Sequence, residues 1–139
     1  MIRQIFKIEK YWKVIVYYDL DYNFYDDIYF ELRLLNFSND SIEDILYKMR
    51  IGKAKAATCN SFEEKVSVVL FNKHNTETDY INSIVHEAEH IKQAILKVYS
   101  VEDDGESAAY TVGYIVSKMY NTFKNIIRKN KRRILQPSF

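Results

Sequence analysis

The sequence is short of the residues that mark disulfide-rich, repetitive or disordered chains. It has one cysteine, one proline and three glycines among 139 residues. The single cysteine, Cys59, cannot form an internal disulfide and is typical of a reducing compartment. Because proline and glycine are scarce and 47% of the residues are hydrophobic, a collagen-like or disordered chain is excluded. One globular domain with a single core is expected.

An excess of charge of one sign and long apolar runs are also missing. Twenty basic and 19 acidic residues leave a net charge of +1, which gives no general attraction to nucleic acid or to a membrane surface. Charged residues from Arg3 to Lys13 interrupt every early apolar run, so neither a signal peptide nor a membrane-spanning segment is predicted. We therefore expect a cytoplasmic protein that does not bind membranes.

Residues 86–90 read HEAEH and match the pattern H-E-x-x-H. On a helix, His86 and His90 project from one face about 5–6 Å apart, so both imidazoles can bind one zinc ion. Glu87 lies a quarter turn further round, where its carboxylate can act as a base on a metal-activated water without binding the metal. The alternative is a solvated helix face that happens to carry these residues.

The residues around this motif predict a long amphipathic helix. Thr76 to Asp79 supply N-cap and capping-box residues. Apolar residues then recur at helical spacing, at Ile81, Ile84, Val85, Ala88, Ile91, Ile95 and Val98. His86 and His90 flank this stripe, which places them between core and solvent, where a metal site would lie.

A catalytic zinc site needs a third protein ligand and an open position for water. After an acidic turn, a second helical stripe begins at Ala109, and Glu106 lies about one turn before it, so Glu106 is expected to point inward. A short turn makes the two helices antiparallel neighbours, which brings Glu106 towards His90. Glu106 is therefore the predicted third ligand, and Asp103 and Asp104 are the fallback ligands. The alternative for Glu106 is a glutamate that stabilises the helix dipole.

Two other residues of this second helix have predicted roles. Tyr110, one turn past Glu106, either donates a hydrogen bond to a developing oxyanion or lies in the core. Gly113, two turns beyond Glu106, would let the two helices approach closely.

Residues 86–90, the acidic turn, the segment GESAAY at 105–110 and the pair at 113–114 together resemble small zincin-like peptidases encoded by bacteriophages and mobile elements of gut bacteria. The resemblance implies a minimal gluzincin-type zinc site and a peptide or protein substrate. The residues it assigns to this site are His86, His90 and Glu106 as zinc ligands and Glu87 as the base. In zincins the substrate backbone commonly adds to an edge strand beside the metal helix.

The first half of the chain reads as a scaffold. The predicted elements are strands at 2–8 and 12–18, helices at 25–35 and from 41 to about 51, and strands at 54–60 and 66–71. The run Val66–Phe71 is nearly all apolar, as in a strand buried on both faces. The run 54–60 looks like an edge strand, near an expected cleft between the sheet and the last two helices. Within that edge, Cys59 is expected to be a small buried residue rather than a nucleophile or ligand. His74 is expected to be an exposed loop histidine.

We therefore predict one α+β domain over residues 1–128 in the order β-β-α-α-β-β-α-α, with two long C-terminal antiparallel helices that carry the metal site. Residues 129–139 form a basic C-terminal tail. The predicted function is a zinc-dependent metallopeptidase, a hydrolase of peptide bonds. The alternative is a non-catalytic zincin-like binding or regulatory protein, an accessory protein of a phage or mobile element. A nucleic-acid-associated protein ranks third, since the basic tail lacks interleaved aromatic residues.

Overall fold

Two layers of helices enclose a four-stranded sheet. The computed structural model describes residues 1–135, and the side chains of residues 1–131. The elements are β1 (Ile2–Ile8), β2 (Trp12–Tyr18), a short 3₁₀ helix (Tyr22–Phe24), α1 (Tyr25–Leu34), α2 (Asn39–Arg50), β3 (Ala56–Ser61), β4 (Val66–Phe71), α3 (Glu77–Val98) and α4 (Glu106–Leu135). The chain is therefore α+β, as predicted.

The sheet has the strand order β1-β2-β4-β3. β1 pairs with β2 and β3 pairs with β4 in antiparallel register, whereas β2 and β4 are parallel. The C-terminal ends of the two central strands therefore lie side by side. From there the chain continues towards α1 after β2 and towards α3 after β4. β1 and β3 are the edge strands, which confirms the prediction of an edge at β3.

Side chains of the central strands alternate between two cores, so the expectation of a single core is wrong. α3 and α4 pack against one face of the sheet, which includes Val14, Val16, Tyr18, Val69 and Phe71. α1 and α2 pack against the other face, which includes Ile15, Tyr17, Val68 and Leu70. All six residues of β4 are buried, so the prediction of a strand buried on both faces is confirmed. A period of two is what places neighbouring residues in different cores.

Element boundaries follow the predictions most closely in the strands. β1, β2 and β4 have the predicted bounds, and β3 spans Ala56–Ser61 rather than residues 54–60. α2 begins at Asn39, two residues before the predicted start, because Ser38 is the N-cap. The Ser38 hydroxyl oxygen accepts a hydrogen bond from the backbone N–H of Ser41 at 3.1 Å. Ser41 offers the same chemistry three residues later, and the sequence alone did not separate the two serines.

α4 extends past the predicted end of the domain. Residues Lys129 to Leu135, which belong to the predicted basic tail, are helical, and 136–139 lie outside the described residues. The division of the chain at residue 128 stays a prediction. Within residues 1–135, none of the helices has both the length and the apolar character needed to cross a membrane.

Candidate functional site

His86 and His90 form a pair of imidazoles one turn apart on α3. Their Nε2 atoms lie 3.2 Å apart, and the two rings meet edge to face with centroids 4.8 Å apart. A tetrahedral zinc ion with bonds of about 2.0–2.1 Å holds two ligand nitrogens about 3.3–3.4 Å apart. The two nitrogens therefore already have the separation that one shared zinc ion requires. Both side chains are exposed, so an ion can reach them from solvent.

Glu87 lies beside this pair but is buried, with 4% of its surface exposed. Its Oε1 accepts a hydrogen bond from the Thr58 hydroxyl at 3.0 Å, and its Oε2 lies 4.0 Å from Nε2 of His86. A buried carboxylate is costly unless it is hydrogen-bonded, and β3 supplies that bond through Thr58. One carboxylate oxygen is thus held by the sheet, and the other is the one near His86.

The free edge of β3 runs beside these residues. The backbone N–H of Asn72 donates to the carbonyl of Lys55 at 3.0 Å, so the backbone groups of Lys55 point towards β4. Because backbone groups of an antiparallel strand alternate between its two sides, those of Ala56, Thr58 and Asn60 face the open edge. The same three side chains face α3: Thr58 reaches Glu87, and the Asn60 amide donates to the carbonyl of His90 at 3.4 Å. An added strand would therefore lie next to the histidine pair.

Glu106 does not join the pair. It is exposed at the first residue of α4, whereas the sequence predicted that it points inward. The buried stripe of α4 begins at Ala108 rather than at Ala109, and one residue corresponds to about 100° of rotation on a helix. Within the residues whose side chains are described, no three His, Cys, Asp or Glu side chains are grouped to hold a metal ion.

The position of α4 gives a second reason. Tyr114 donates to the carbonyl of Lys7 at 3.1 Å, and Gln4 donates to the carbonyl of Lys118 at 3.1 Å. α4 therefore lies over β1, whereas the histidines of α3 lie beside β3, at the opposite edge of the same face of the sheet.

α3 and α4 are antiparallel neighbours as expected, since Nζ of Lys131 lies 3.4 Å from the Glu77 carboxylate at the start of α3. Glu106 is nevertheless exposed and belongs to no group of three possible ligands among the described side chains.

The fallback ligand Asp103 is engaged elsewhere. Its Oδ1 lies 2.6 Å from Nζ of Lys92, a buried lysine that also binds Glu89 at 2.6 Å. The hydrogen bond to Asp103 raises the pKa of Lys92 most, and the hydrogen bond to Glu89 raises it further. Asp103 and Lys92 thus fasten the α3–α4 loop to α3. Asp104 is exposed in the same loop.

For Tyr110 the core position is excluded and the role at an oxyanion stays a prediction, whereas the prediction for Gly113 is wrong. Tyr110 is 68% exposed on α4, so it is not a core residue. Among the described residues, no hydrogen bond links it to the histidine pair. A Cβ added at Gly113 would meet no atom within 4 Å, so the expected close approach of the two helices at this glycine is wrong.

Cys59 has the predicted character. Burial, with a smaller contribution from the Glu87 carboxylate, raises the pKa of the Cys59 thiol to about 12. A thiol is a poor nucleophile or metal ligand until it loses its proton. Cys59 is therefore a small buried residue of the core between the sheet and α1–α2.

His74 is less exposed than predicted. Its Nδ1 lies 2.7 Å from the carbonyl oxygen of Asn72 and its Nε2 lies 2.7 Å from the hydroxyl of Ser83. The ring also packs against Tyr80, with centroids 4.3 Å apart. Desolvation lowers the pKa of His74. Ser83 and His74 are nine residues apart on a helix and a loop, and no local pattern pointed to this contact.

Comparison of the chain with protein-family models, curated proteins and solved structures found no match. The resemblance to zincin-like peptidases stays a prediction. What the chain does is therefore inferred from its own residues and their geometry.

Proposed function

We propose that the chain is a zinc-dependent peptidase whose site comprises His86, Glu87 and His90 at the open edge of β3. The observation that supports this most strongly is the 3.2 Å separation of the two Nε2 atoms, which suits one tetrahedral ion. A second support is a buried carboxylate within 4.0 Å of one of these nitrogens. A solvated helix face gives no reason to bury Glu87.

Glu87 is the proton acceptor of the proposed reaction. When bound, a zinc ion polarises the scissile carbonyl and lowers the pKa of water. The Thr58 hydroxyl holds Oε1 of Glu87, so Oε2 is the oxygen that takes the proton and later delivers it to the leaving amine. Burial keeps this carboxylate away from competing cations.

The open edge of β3 suits a peptide substrate. Outward backbone groups of Ala56, Thr58 and Asn60 can pair with an extended peptide, and such pairing does not depend on side-chain sequence. The middle of these residues, Thr58, also contacts Glu87. A peptide paired along this edge therefore passes the proton acceptor.

A non-catalytic zinc-binding protein is the second candidate. It is favoured by one observation: among the described side chains, two imidazoles lie together but no third acidic, histidine or cysteine ligand joins them. A site with two protein ligands binds zinc more weakly than a site with three, and suits a regulatory or accessory role. This candidate predicts zinc binding without cleavage of any peptide.

The test is a zinc titration of the purified chain together with cleavage assays on a denatured protein and a peptide mixture. We expect one zinc ion per chain, and Glu87→Gln to retain zinc while turnover falls by about 10²–10⁴-fold, the usual contribution of general-base catalysis. Glu43→Gln, the same change at an exposed position of α2, is the matched control and should retain turnover.

The outcomes separate the candidates. Zinc binding by the wild type without cleavage supports the non-catalytic protein, and equal turnover in Glu87→Gln excludes Glu87 as the base. Loss of zinc in Glu87→Gln would show that Glu87 is a ligand. Absence of zinc binding in the folded wild type rejects both candidates.

A further inference from the structure

Ser83, His74 and the backbone of Asn72 form a chain of two short hydrogen bonds, each 2.7 Å long. We propose that Ser83 is a nucleophile activated by His74, and that this pair is an acyl-transfer site acting on carboxylic esters. The site lies one turn of α3 before His86 and does not depend on a metal ion.

The hydrogen bonds fix the tautomer of His74. A carbonyl oxygen only accepts, so Nδ1 of His74 carries the proton and donates it to Asn72. Nε2 is left with a lone pair and accepts from the Ser83 hydroxyl. A serine, a base within hydrogen-bond reach and a third group that orients the base are the parts of an activated nucleophile. Desolvation lowers the pKa of His74, which keeps the imidazole in its basic form at neutral pH.

Asn72 is held firmly at the end of β4. Its side-chain amide donates to the carbonyls of Met49 at 2.8 Å and Ala54 at 3.2 Å, and its amide oxygen accepts from the Tyr22 hydroxyl at 2.7 Å. Its backbone N–H donates to Lys55. The carbonyl that orients His74 is therefore fixed by four hydrogen bonds, and a fixed orienting group is what a catalytic base needs.

Ser83 is also accessible to a substrate. It lies in the wall of a groove of about 430 Å³ that is also lined by Lys55, Ala56, Asp79, Asn82, His86 and Glu87, so the groove is shared with the proposed zinc site. The backbone N–H of Ala56 faces the open edge of β3 and can donate into this groove. The Lys55 ammonium lies beside it, 4.0 Å from Asp79. Donors of this kind stabilise the negative oxygen that develops when a serine attacks a carbonyl.

The proposed reaction has two balanced steps. Ser83 Oγ forms a bond to the carbonyl carbon of the ester while its proton passes to Nε2 of His74. The bond to the alcohol oxygen breaks, and the alcohol leaves with that proton, so that an acyl-serine remains. The oxygen of a water molecule then forms a bond to the acyl carbon while His74 takes one water proton. The bond between the acyl carbon and Ser83 Oγ breaks, Oγ receives that proton from His74, and the carboxylic acid is released.

The test is labelling by an alkyl fluorophosphonate in the presence of EDTA, followed by intact mass and peptide mapping. We expect one adduct, at Ser83, with loss of fluoride. Ser83→Ala should give no adduct, and His74→Gln should label at least about 100-fold more slowly, at the low end of a general base's contribution. Ser107→Ala, the same change at an exposed serine of α4, is the matched control and should label like the wild type.

His74→Gly guards against a variant that merely loosens the loop. If His74 is the base, added imidazole should restore labelling of this variant, since a free base can take its place, whereas a purely structural role gives no rescue. Absence of an adduct on the folded wild type would overturn the proposal. So would an adduct that persists in Ser83→Ala, or an unchanged rate in His74→Gln. Because EDTA removes metal, failure here is distinct from failure of the zinc peptidase.

Discussion

The histidine pair on α3 and the histidine in the loop before α3 differ in the hydrogen bonds that their rings make. His86 and His90 are exposed and hydrogen-bond to each other, whereas both ring nitrogens of His74 bind other groups of the protein. An ion that displaces the bond between His86 and His90 breaks one weak contact. A metal ion at His74 would have to break two bonds to the loop and helix. The exposed His86–His90 pair is therefore suited to metal binding, and the hydrogen-bonded ring of His74 is suited to proton transfer.

The largest expected effect is the loss of zinc affinity when a histidine of the exposed pair, rather than His74, is replaced. His86→Ala or His90→Ala should lower zinc affinity by more than about 100-fold, because loss of an outer-shell partner alone typically costs 10–100-fold and here a ligand is lost. His74→Ala should leave zinc affinity within about threefold. Isothermal titration calorimetry with each variant measures this. Equal loss in all three variants would mean that the loop histidine also holds the metal, and the contrast between the regions would disappear.

A smaller effect should follow when the support of Glu87 is removed. Thr58→Val deletes the hydroxyl that donates to Oε1 of Glu87 and leaves a buried carboxylate oxygen without its partner. The free energy of unfolding should fall by about 1–3 kcal/mol, the usual cost of such a loss. Urea denaturation measures it, with an unchanged slope. Thr78→Val, at an exposed position of α3, is the control. An unchanged midpoint in Thr58→Val would show that Glu87 is not held by the sheet.

The pH dependence of the free energy of unfolding tests whether the fold lowers the pKa of His74. Desolvation lowers the pKa of His74 below its usual 6.5, against the smaller opposing effect of the Asn72 carbonyl, while Lys55 lowers it and Asp79 and Asp19 raise it. The unfolded chain therefore binds a proton more readily than the folded chain. Neutral His74 therefore makes its full contribution to the free energy of unfolding above about pH 6.5. This contribution is lost as the pH falls from about 6.5 through the lower pKa that His74 has in the folded chain. His74→Gln should flatten this part of the profile of urea midpoints against pH. An identical profile would show that the fold does not lower the pKa of His74.

The sequence allowed prediction of what depends on neighbouring residues along the chain. The strand bounds of β2 and β4 follow from continuous β-branched and aromatic runs, and the His86–His90 pair follows from the spacing of four on a helix. Predictions that depended on rotation or on distant contacts fared worse. A stripe displaced by one residue turned Glu106 outward, and the contact of His74 with Ser83 exists only because the loop after β4 folds back onto α3.

The smallest expected effect is the most informative about the third ligand. Glu106→Gln should change zinc affinity by less than about threefold, because Glu106 is exposed and α4 lies over β1, away from the β3 edge where the histidine pair lies. The remaining change reflects loss of one exposed negative charge, which salt screens over about 8–10 Å; Glu102→Gln, an exposed charge in the preceding loop, controls for it. A loss of more than tenfold in Glu106→Gln alone would require the first turn of α4 to leave its place and reach the pair when zinc binds. In that case the gluzincin-type ligand set predicted from the sequence would hold after all, and α3 and α4 would have to slide past each other to form it.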